Sequence, residues 1–244
     1  MKQTIAHGVL AWIGLALLAA GIRWLAAAHA YPACGDASHF VQHGVALANG
    51  IPKAMSAYWS QGMIAISAGV ARKGGDPRYA LQITTLLAGV GVVLLFSGVV
   101  MRLSGSRRLA LAGGLILAAN PTLVHYSITG YSEIPYMFFL LGGVYCGLGS
   151  RLPPAGRYIL AGAFIGAGGY FKGLDAAVAA VGFGLHVFFT SGCTWGCRLR
   201  RAGLPIAAAF LVMVPLCLYT HQEIGRFTPG AKGGQLIVGL DWKN

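Results

Sequence analysis

Seven apolar runs, separated by short polar segments, extend through the 244-residue chain. Most are about 14 to 24 residues long, close to the roughly 20 apolar residues that a helix needs to cross a bilayer. The pattern predicts an all-α, polytopic transmembrane helix bundle of about seven spans, forming a single transmembrane domain over residues 1–244. The runs cover residues 5–28, 79–101, 109–119, 134–148, 158–171, 174–189 and 204–219.

The longest polar-to-mixed segment, residues 29–78, is the predicted first outer loop. Within it, residues 37–48 have the spacing of a short amphipathic helix, and residues 57–71 are apolar but too short to cross. We expect both helices to lie along the membrane surface. Asp76-Pro77 has the cap and first-residue signature of a helix start, so we expect the second span to begin there.

The first run admits two interpretations. Ala28-His29-Ala30 resembles a signal-peptide cleavage site, which would make the run a removable leader. Its length favours a retained span instead, with Arg23 and Trp24 as anchors at the membrane interface.

Arginine in the short loops predicts the orientation. Three loops that fall on one side of the bundle are rich in arginine, and that side is predicted to be cytoplasmic by the positive-inside rule. These arginines are Arg102, Arg107, Arg108, Arg151, Arg157, Arg198, Arg200 and Arg201. The prediction is therefore a multi-pass protein of the cell membrane (an inner membrane in a bacterium), with a cytoplasmic N-terminus. The C-terminal tail, residues 220–244, is then outside.

The same topology places every acidic residue of the chain on the outer side. Acidic residues contribute little to orientation, so this segregation is an independent indication that the outer face carries the function. The six acids are Asp36, Asp76, Glu133, Asp175, Glu223 and Asp241.

Composition supports a membrane protein. Hydrophobic residues make up 56% of the chain and charged residues only 10%, whereas soluble domains carry about 25% charged residues. The net charge of +12 is largely explained by the loop arginines, so we predict no nucleic-acid partner.

Two outer carboxylates are candidates for chemistry, each with a structural alternative. Asp36 precedes the amphipathic helix and could serve as a general base, bind a divalent metal or simply cap the helix. Glu133 opens the fourth run; Ser132 could cap that helix with Glu133 in its first turn, or Glu133 could face the same outer cavity.

Another candidate pair lies in the short turn between runs five and six. Lys172 and Asp175 could pair with each other or reach for water. Alternatively, they could meet a phosphate and a hydroxyl at the membrane surface.

Histidine and cysteine give a weaker signal. His39 and His43 have the i, i+4 spacing of a zinc pair, but no H-E-x-x-H motif is present. Cys193 and Cys197 have no nearby histidine to complete a site. We predict no structural disulfide, no zinc and no cofactor, with a divalent metal at the carboxylates as the alternative.

Several short motifs together resemble the GT-C membrane glycosyltransferases, in particular the protein-mannosyltransferase and aminoarabinose-transferase branch. Asp36 followed by His39-Phe40, Ala46 and Gly50 is similar to the family's first-loop segment. Ala119-Asn120-Pro121 with Tyr131-Ser132-Glu133 resembles its "NP…SE" stretch, and Phe171-Lys172-Gly173-Leu174 lies where a basic turn is common. The resemblance covers about residues 5 to 220.

The resemblance implies transfer of a sugar from a polyprenyl-phosphate donor in the membrane lipid to an acceptor on the outer face. It implies catalytic roles for Asp36, Glu133 and Asp175, and substrate binding by His39, Lys172 and Arg78. Many members carry a second acid after the first-loop aspartate, where this chain has Ala37. The alternative is a non-catalytic GT-C-like subunit that packs in a larger membrane protein complex.

Overall fold

The computed structural model describes residues 2–32, 35–51, 58–149 and 152–230. Regular structure there is entirely helical, as predicted, and comprises ten helices. They are α1 (Lys2–Ala27), α2 (Asp36–Ala48), α3 (Gln61–Ala71), α4 (Pro77–Ser104), α5 (Arg107–Ala118), α6 (Pro121–Ile128), α7 (Glu133–Gly147), α8 (Pro154–Gly168), α9 (Gly173–Thr190) and α10 (Trp195–Ile224).

The number of spans is lower than the sequence predicts. In the described ranges, four helical segments are long and apolar enough to cross a membrane: Val9–Ala27, Pro77–Ser104, Gly173–Thr190 and Trp195–Ile224. A fifth span is possible if α5 and α6, which meet at a 60° bend, count as one. The helices α7 and α8 have 15 residues each, or roughly 22 Å, so about seven spans is not confirmed.

The break between α5 and α6 follows from Asn120-Pro121. Pro121 has no N–H to continue the helix, while the Asn120 side chain accepts the Leu123 N–H at 2.9 Å and caps α6. Arg23 of α1 fills this junction, donating to the Ala118 carbonyl at 3.5 Å and to the Ala19 carbonyl at 3.1 Å. The prediction that Arg23 is an interface anchor is wrong, since it is fully buried; Trp24 is 69% exposed.

Close contacts at glycine set the direction of the central helices. Added Cβ atoms on Gly91 and Gly98 of α4 would lie 2.5 and 2.8 Å from Phe138 and Tyr145 of α7. Because the later glycine of α4 contacts the later aromatic residue of α7, the two helices run parallel. Small residues permit this close approach in membrane helices, where packing takes over from the hydrophobic effect.

These directions place the described carboxylates at one end of the bundle, which we call the acidic end. The described loop arginines, from α4–α5, α8 and α10, lie at the opposite, arginine-rich end. Arg151 and Asp241 lie outside the described residues, as does Cys34. The other cysteines, Cys146, Cys193, Cys197 and Cys217, are free thiols.

The first-loop helices pack on the acidic end. The helix predicted over residues 37–48 is confirmed as α2, and the one predicted over 57–71 is present as the shorter α3. Phe40, Met63, Ile64 and Leu81 of α2, α3 and α4 form a common buried cluster. At 11 residues, or about 16 Å, α3 is too short to cross a bilayer.

Candidate active site

A cavity of about 220 Å³ opens at the acidic end, where α2, α3 and α9 begin and α8 ends. Six separate segments of the chain contribute to its wall. The lining residues are Asp36, Phe40, Tyr58, Trp59, Ser60, Gln61, Ser132, Gly169, Tyr170, Phe171, Lys172, Gly173, Leu174, Asp175, Leu216, Pro229 and Gly230.

Asp36 is the first residue of α2, and its half-buried side chain lines the cavity. The alternative that Asp36 is the N-cap is wrong, because Gly35 holds that position at a φ of 59°. That left-handed backbone favours glycine. A Cβ on Gly35 would also collide with the Tyr131 hydroxyl, so the start of α2 is fixed against the segment that leads to Glu133.

Glu133 and Lys172 form an ion pair, with 2.7 Å between Oε1 and Nζ. Their side chains are 34% and 27% exposed, so the pair is partly shielded from water. The predicted cap position of Ser132 is confirmed, but its side chain makes no capping hydrogen bond. Glu133 Oε2 is buried and has no hydrogen-bond partner among the described residues, which leaves an acceptor oxygen beside the cavity.

The predicted pairing of Lys172 with Asp175 is replaced by this contact with Glu133. Asp175 lies in the first turn of α9, is exposed and lines the cavity. An acid in the first turn of a helix is stabilised by the partial positive charge there.

Arg78, another predicted substrate-binding residue, does not line this cavity. It lies at the start of α4, where its guanidinium contacts Asp76 at 2.7 Å. Asp76 caps α4 by accepting the Arg78 backbone N–H at 2.9 Å, as predicted. The bonds from Arg78 hold the pKa of the Asp76 carboxyl below its ordinary value.

His39 reaches the site through an aromatic residue. Its ring stacks on Trp59 with 4.4 Å between ring centroids, and Trp59 lines the cavity. The sequence suggests only an interface anchor for Tyr58-Trp59, so this wall is missed. An aromatic pair in a polar loop gives no periodic signal, and its partner depends on how α2 folds against α3.

Backbone contacts join the first loop to the α8–α9 turn. The Gly62 N–H donates to the Tyr170 carbonyl at 2.8 Å, and the Ser60 hydroxyl donates to the same oxygen at 3.4 Å. A Cβ on Gly62 would lie 2.9 Å from the Phe171 ring. These contacts hold the Trp59 side of the cavity against the Lys172 side.

Metal ligation has little support in the described part of the chain. No group of three or more His, Cys, Asp or Glu side chains converges there as a metal site would require. Asp36 and Asp175 line the cavity from the starts of two different helices, and Glu133 is already paired with Lys172.

Comparison with known proteins gives one match. The family model described as dolichyl-phosphate-mannose-protein mannosyltransferase matches residues 59–230, more than half of the chain. Neither the comparison with curated proteins nor that with solved structures gives a match. The matched range includes Trp59, Lys172 and Asp175 of the cavity and Glu133, the partner of Lys172, and Asp36 precedes it. The chain thus belongs to the dolichyl-phosphate-mannose-protein mannosyltransferase family and is a membrane glycosyltransferase of the GT-C type.

Proposed function

We propose that this protein transfers a sugar from a polyprenyl-phosphate donor to an acceptor hydroxyl in the cavity at the acidic end. One observation carries the proposal: Asp36 and Lys172 line the same cavity. A carboxylate can accept the acceptor's proton, and a cation can stabilise the phosphate that leaves. Both groups would assist a glycosyl transfer in which a phosphate leaves.

Lys172 is the proposed phosphate-binding residue. Its ammonium is held by Glu133 at 2.7 Å, so it lies in a defined position at the wall before any donor arrives. A donor phosphate would share Lys172 with Glu133. Because an ammonium has three donor hydrogens, it can contact both groups. Glu133 thus serves to position Lys172, and Arg78 would act only on parts of the donor outside the cavity.

The proposed reaction is a single displacement. The acceptor hydroxyl oxygen attacks the anomeric carbon of the sugar while the bond from that carbon to the phosphate oxygen breaks. The hydroxyl proton moves to Asp36, and the bond electrons leave with the polyprenyl phosphate beside Lys172. Asp175, in the first turn of α9, contributes a further negative charge at the cavity. The Trp59 ring, which stacks on His39, offers an apolar face to the sugar.

The acidic end is the proposed outer face. The described loop arginines lie at the opposite end, and short basic loops remain in the cytoplasm. This orientation leaves the N-terminus cytoplasmic and the C-terminal tail outside, and it makes the first loop part of the catalytic face. The whole chain then acts as one domain in the membrane.

The test is transfer of labelled mannose from a polyprenyl-phosphate donor to a hydroxyl-bearing peptide by the purified protein. Asp36→Asn should lower the rate about 100- to 10,000-fold, the usual effect of losing a general base. Asp76→Asn is the matched control, because it changes another acid at the same end that does not line the cavity. Equal loss in both variants, or full activity in Asp36→Asn, would contradict the role of Asp36.

One observation favours the non-catalytic alternative. Ala37 is fully buried in the cluster with Phe40 and Ile64, so the position after Asp36 has no room for a second acid facing the cavity. If the purified parent protein transfers no sugar although it binds the donor, it acts instead as a subunit within a larger membrane complex.

A further inference from the structure

A second cavity, of about 120 Å³, lies at the arginine-rich end between α4, α7 and α8. It is far from the proposed active site, since α4 and α7 run parallel from one end of the bundle to the other. Among the described residues, its lining is mainly apolar with one charged group. The lining residues are Arg102, Tyr145, Cys146, Gly149, Leu152 and Leu160.

The charged group is held in a defined position. The Arg102 guanidinium lies 3.4 Å from the centre of the Tyr145 ring, and it also donates to the Tyr145 carbonyl. Such stacking is favourable for a guanidinium, which is planar and weakly hydrated. Arg102 forms no ion pair within the described ranges. Its charge is therefore available to a ligand.

Two glycines make room for this arrangement. A Cβ on Gly98 of α4 would lie 2.8 Å from the Tyr145 ring, and a Cβ on Gly149 would lie 2.9 Å from Arg102 Nη1. Gly98 thus lets the ring lie against α4, and Gly149 lets the guanidinium fold over that ring. The stack depends on small residues on both sides of it.

The surroundings select an anion with an apolar part. The described carboxylates lie at the other end of the bundle, whereas arginines cluster near this cavity. Arg157 on α8 is close by, donating to the Gly149 carbonyl at 3.1 Å. Leu152 and Leu160 are 47% and 37% exposed, so the apolar wall continues onto the outer surface of the bundle. A soluble anion would leave this wall unused.

We propose that this cavity binds an anionic phospholipid from the leaflet at the arginine-rich end. The lipid phosphate would contact the Arg102 guanidinium, and the first part of an acyl chain would lie along Leu152 and Leu160. Basic pockets between membrane helices are suited to anionic head groups. This site is independent of the proposed transferase reaction.

The test compares two lipids with identical acyl chains, phosphatidylglycerol and phosphatidylcholine, bound to the delipidated full-length protein and measured by native mass spectrometry. The parent should prefer phosphatidylglycerol, and Arg102→Gln should lower that preference about fivefold, the effect of one arginine at an anionic surface. Arg108→Gln is the matched control, since Arg108 is exposed at the same end but does not line the cavity. It should leave the preference unchanged.

Three results would overturn the proposal: no lipid preference in the parent, an equal fall in both variants, or competition by soluble glycerol phosphate as strong as by the lipid. The last result would identify a soluble anion as the ligand. If Arg102→Gln does not fold, Arg102→Lys provides the test. It keeps the charge but loses the planar stack, so the preference should still fall, and an unchanged preference would contradict the site.

Discussion

The two ends of the bundle differ in how their charges are held. At the acidic end, Lys172 is paired with Glu133 and Arg78 with Asp76, so these two cations have carboxylate partners. At the arginine-rich end, Arg102 is held by an aromatic ring and by backbone carbonyl oxygen. At the acidic end, Lys172 lines a cavity together with Asp36, which suits a reaction that moves a proton and releases a phosphate. The arrangement at the arginine-rich end suits binding of an anion.

The first prediction concerns which end faces outside, and its effect is all-or-none. Two variants each carry a single cysteine in an otherwise cysteine-free chain. Lys73→Cys probes the acidic end, and Arg108→Cys probes the arginine-rich end. A membrane-impermeant maleimide added to intact cells should label only the first. Both become labelled once the membrane is permeabilised, which serves as the control. Labelling of both sites in intact cells would contradict the opposition of the two ends.

A second prediction tests whether the paired cation at the acidic end serves the donor. Lys172→Met should lower kcat/KM for the polyprenyl-phosphate donor about 10- to 100-fold, since a hydrogen bond to a charged group contributes about 1.5–3 kcal/mol. Lys172→Arg keeps the charge and should recover part of the loss. The control Lys73→Met removes an exposed cation at the same end that does not line the cavity.

A loss in Lys172→Met could arise from Glu133, which the substitution leaves half-buried without its partner. The double variant Lys172→Met with Glu133→Gln separates the two causes. If Lys172 binds the phosphate, removing the unpaired Glu133 charge in the double variant should recover the stability of the protein but not its binding of the donor. Recovery of both would mean that the pair is only structural.

Sequence alone predicts much of the helical framework, because helix signals are local. Asp76-Pro77 begins α4 and Asn120-Pro121 interrupts the third run, as their cap chemistry indicates. Span number is less accessible, since the fourth and fifth runs and the helices α7 and α8 that form there are all only about 15 residues long. An apolar run of that length does not by itself decide whether a helix crosses the membrane.

For the candidate site, the sequence predicts which charged residues take part but not which of them contact each other. Topology alone groups Asp36, Glu133 and Lys172 on one side, and the structure brings all three to the cavity region. The pairing of Lys172 with Glu133 rather than Asp175 depends on how α7 packs beside α9. Similarly, the sequence predicts Arg23 to be an interface anchor, but the bend between α5 and α6 provides the Ala118 carbonyl oxygen for it. Such contacts are long-range and leave no local pattern.

The third prediction compares two glycines with left-handed backbones, one at each end. Gly35 has a φ of 59° and faces the Tyr131 hydroxyl, whereas Gly105 has a φ of 65° and open space where a Cβ would lie. Gly105→Ala should cost about 1 kcal/mol from backbone strain alone. Gly35→Ala should cost about 1–3 kcal/mol more, because Tyr131 must also move.

The unfolding temperature of each variant is measured in detergent, with the loss of monodisperse protein on heating as the signal. Gly35→Ala should also lower transfer, since it displaces Asp36, whereas Gly105→Ala should not. Equal destabilisation of the two would indicate that the contact with Tyr131 is not structurally important.

The last prediction compares the helix caps at the two ends and has the smallest expected effect. Asp76 accepts the Arg78 N–H at 2.9 Å, and Ser106 accepts the Leu109 N–H at 3.3 Å. Losing a cap typically costs about 1 kcal/mol, so Asp76→Ala should lower the unfolding temperature at neutral pH slightly more than Ser106→Ala, whose bond is longer.

The Asp76 carboxyl has a lowered pKa in the folded protein, so the stability from its charge is complete above the ordinary value of 3.8. That stability is lost as the pH falls through the lowered folded pKa. The difference between parent and Asp76→Ala should therefore shrink below about pH 4, while that for Ser106→Ala stays constant, and parallel pH profiles for the two variants would contradict the charged cap.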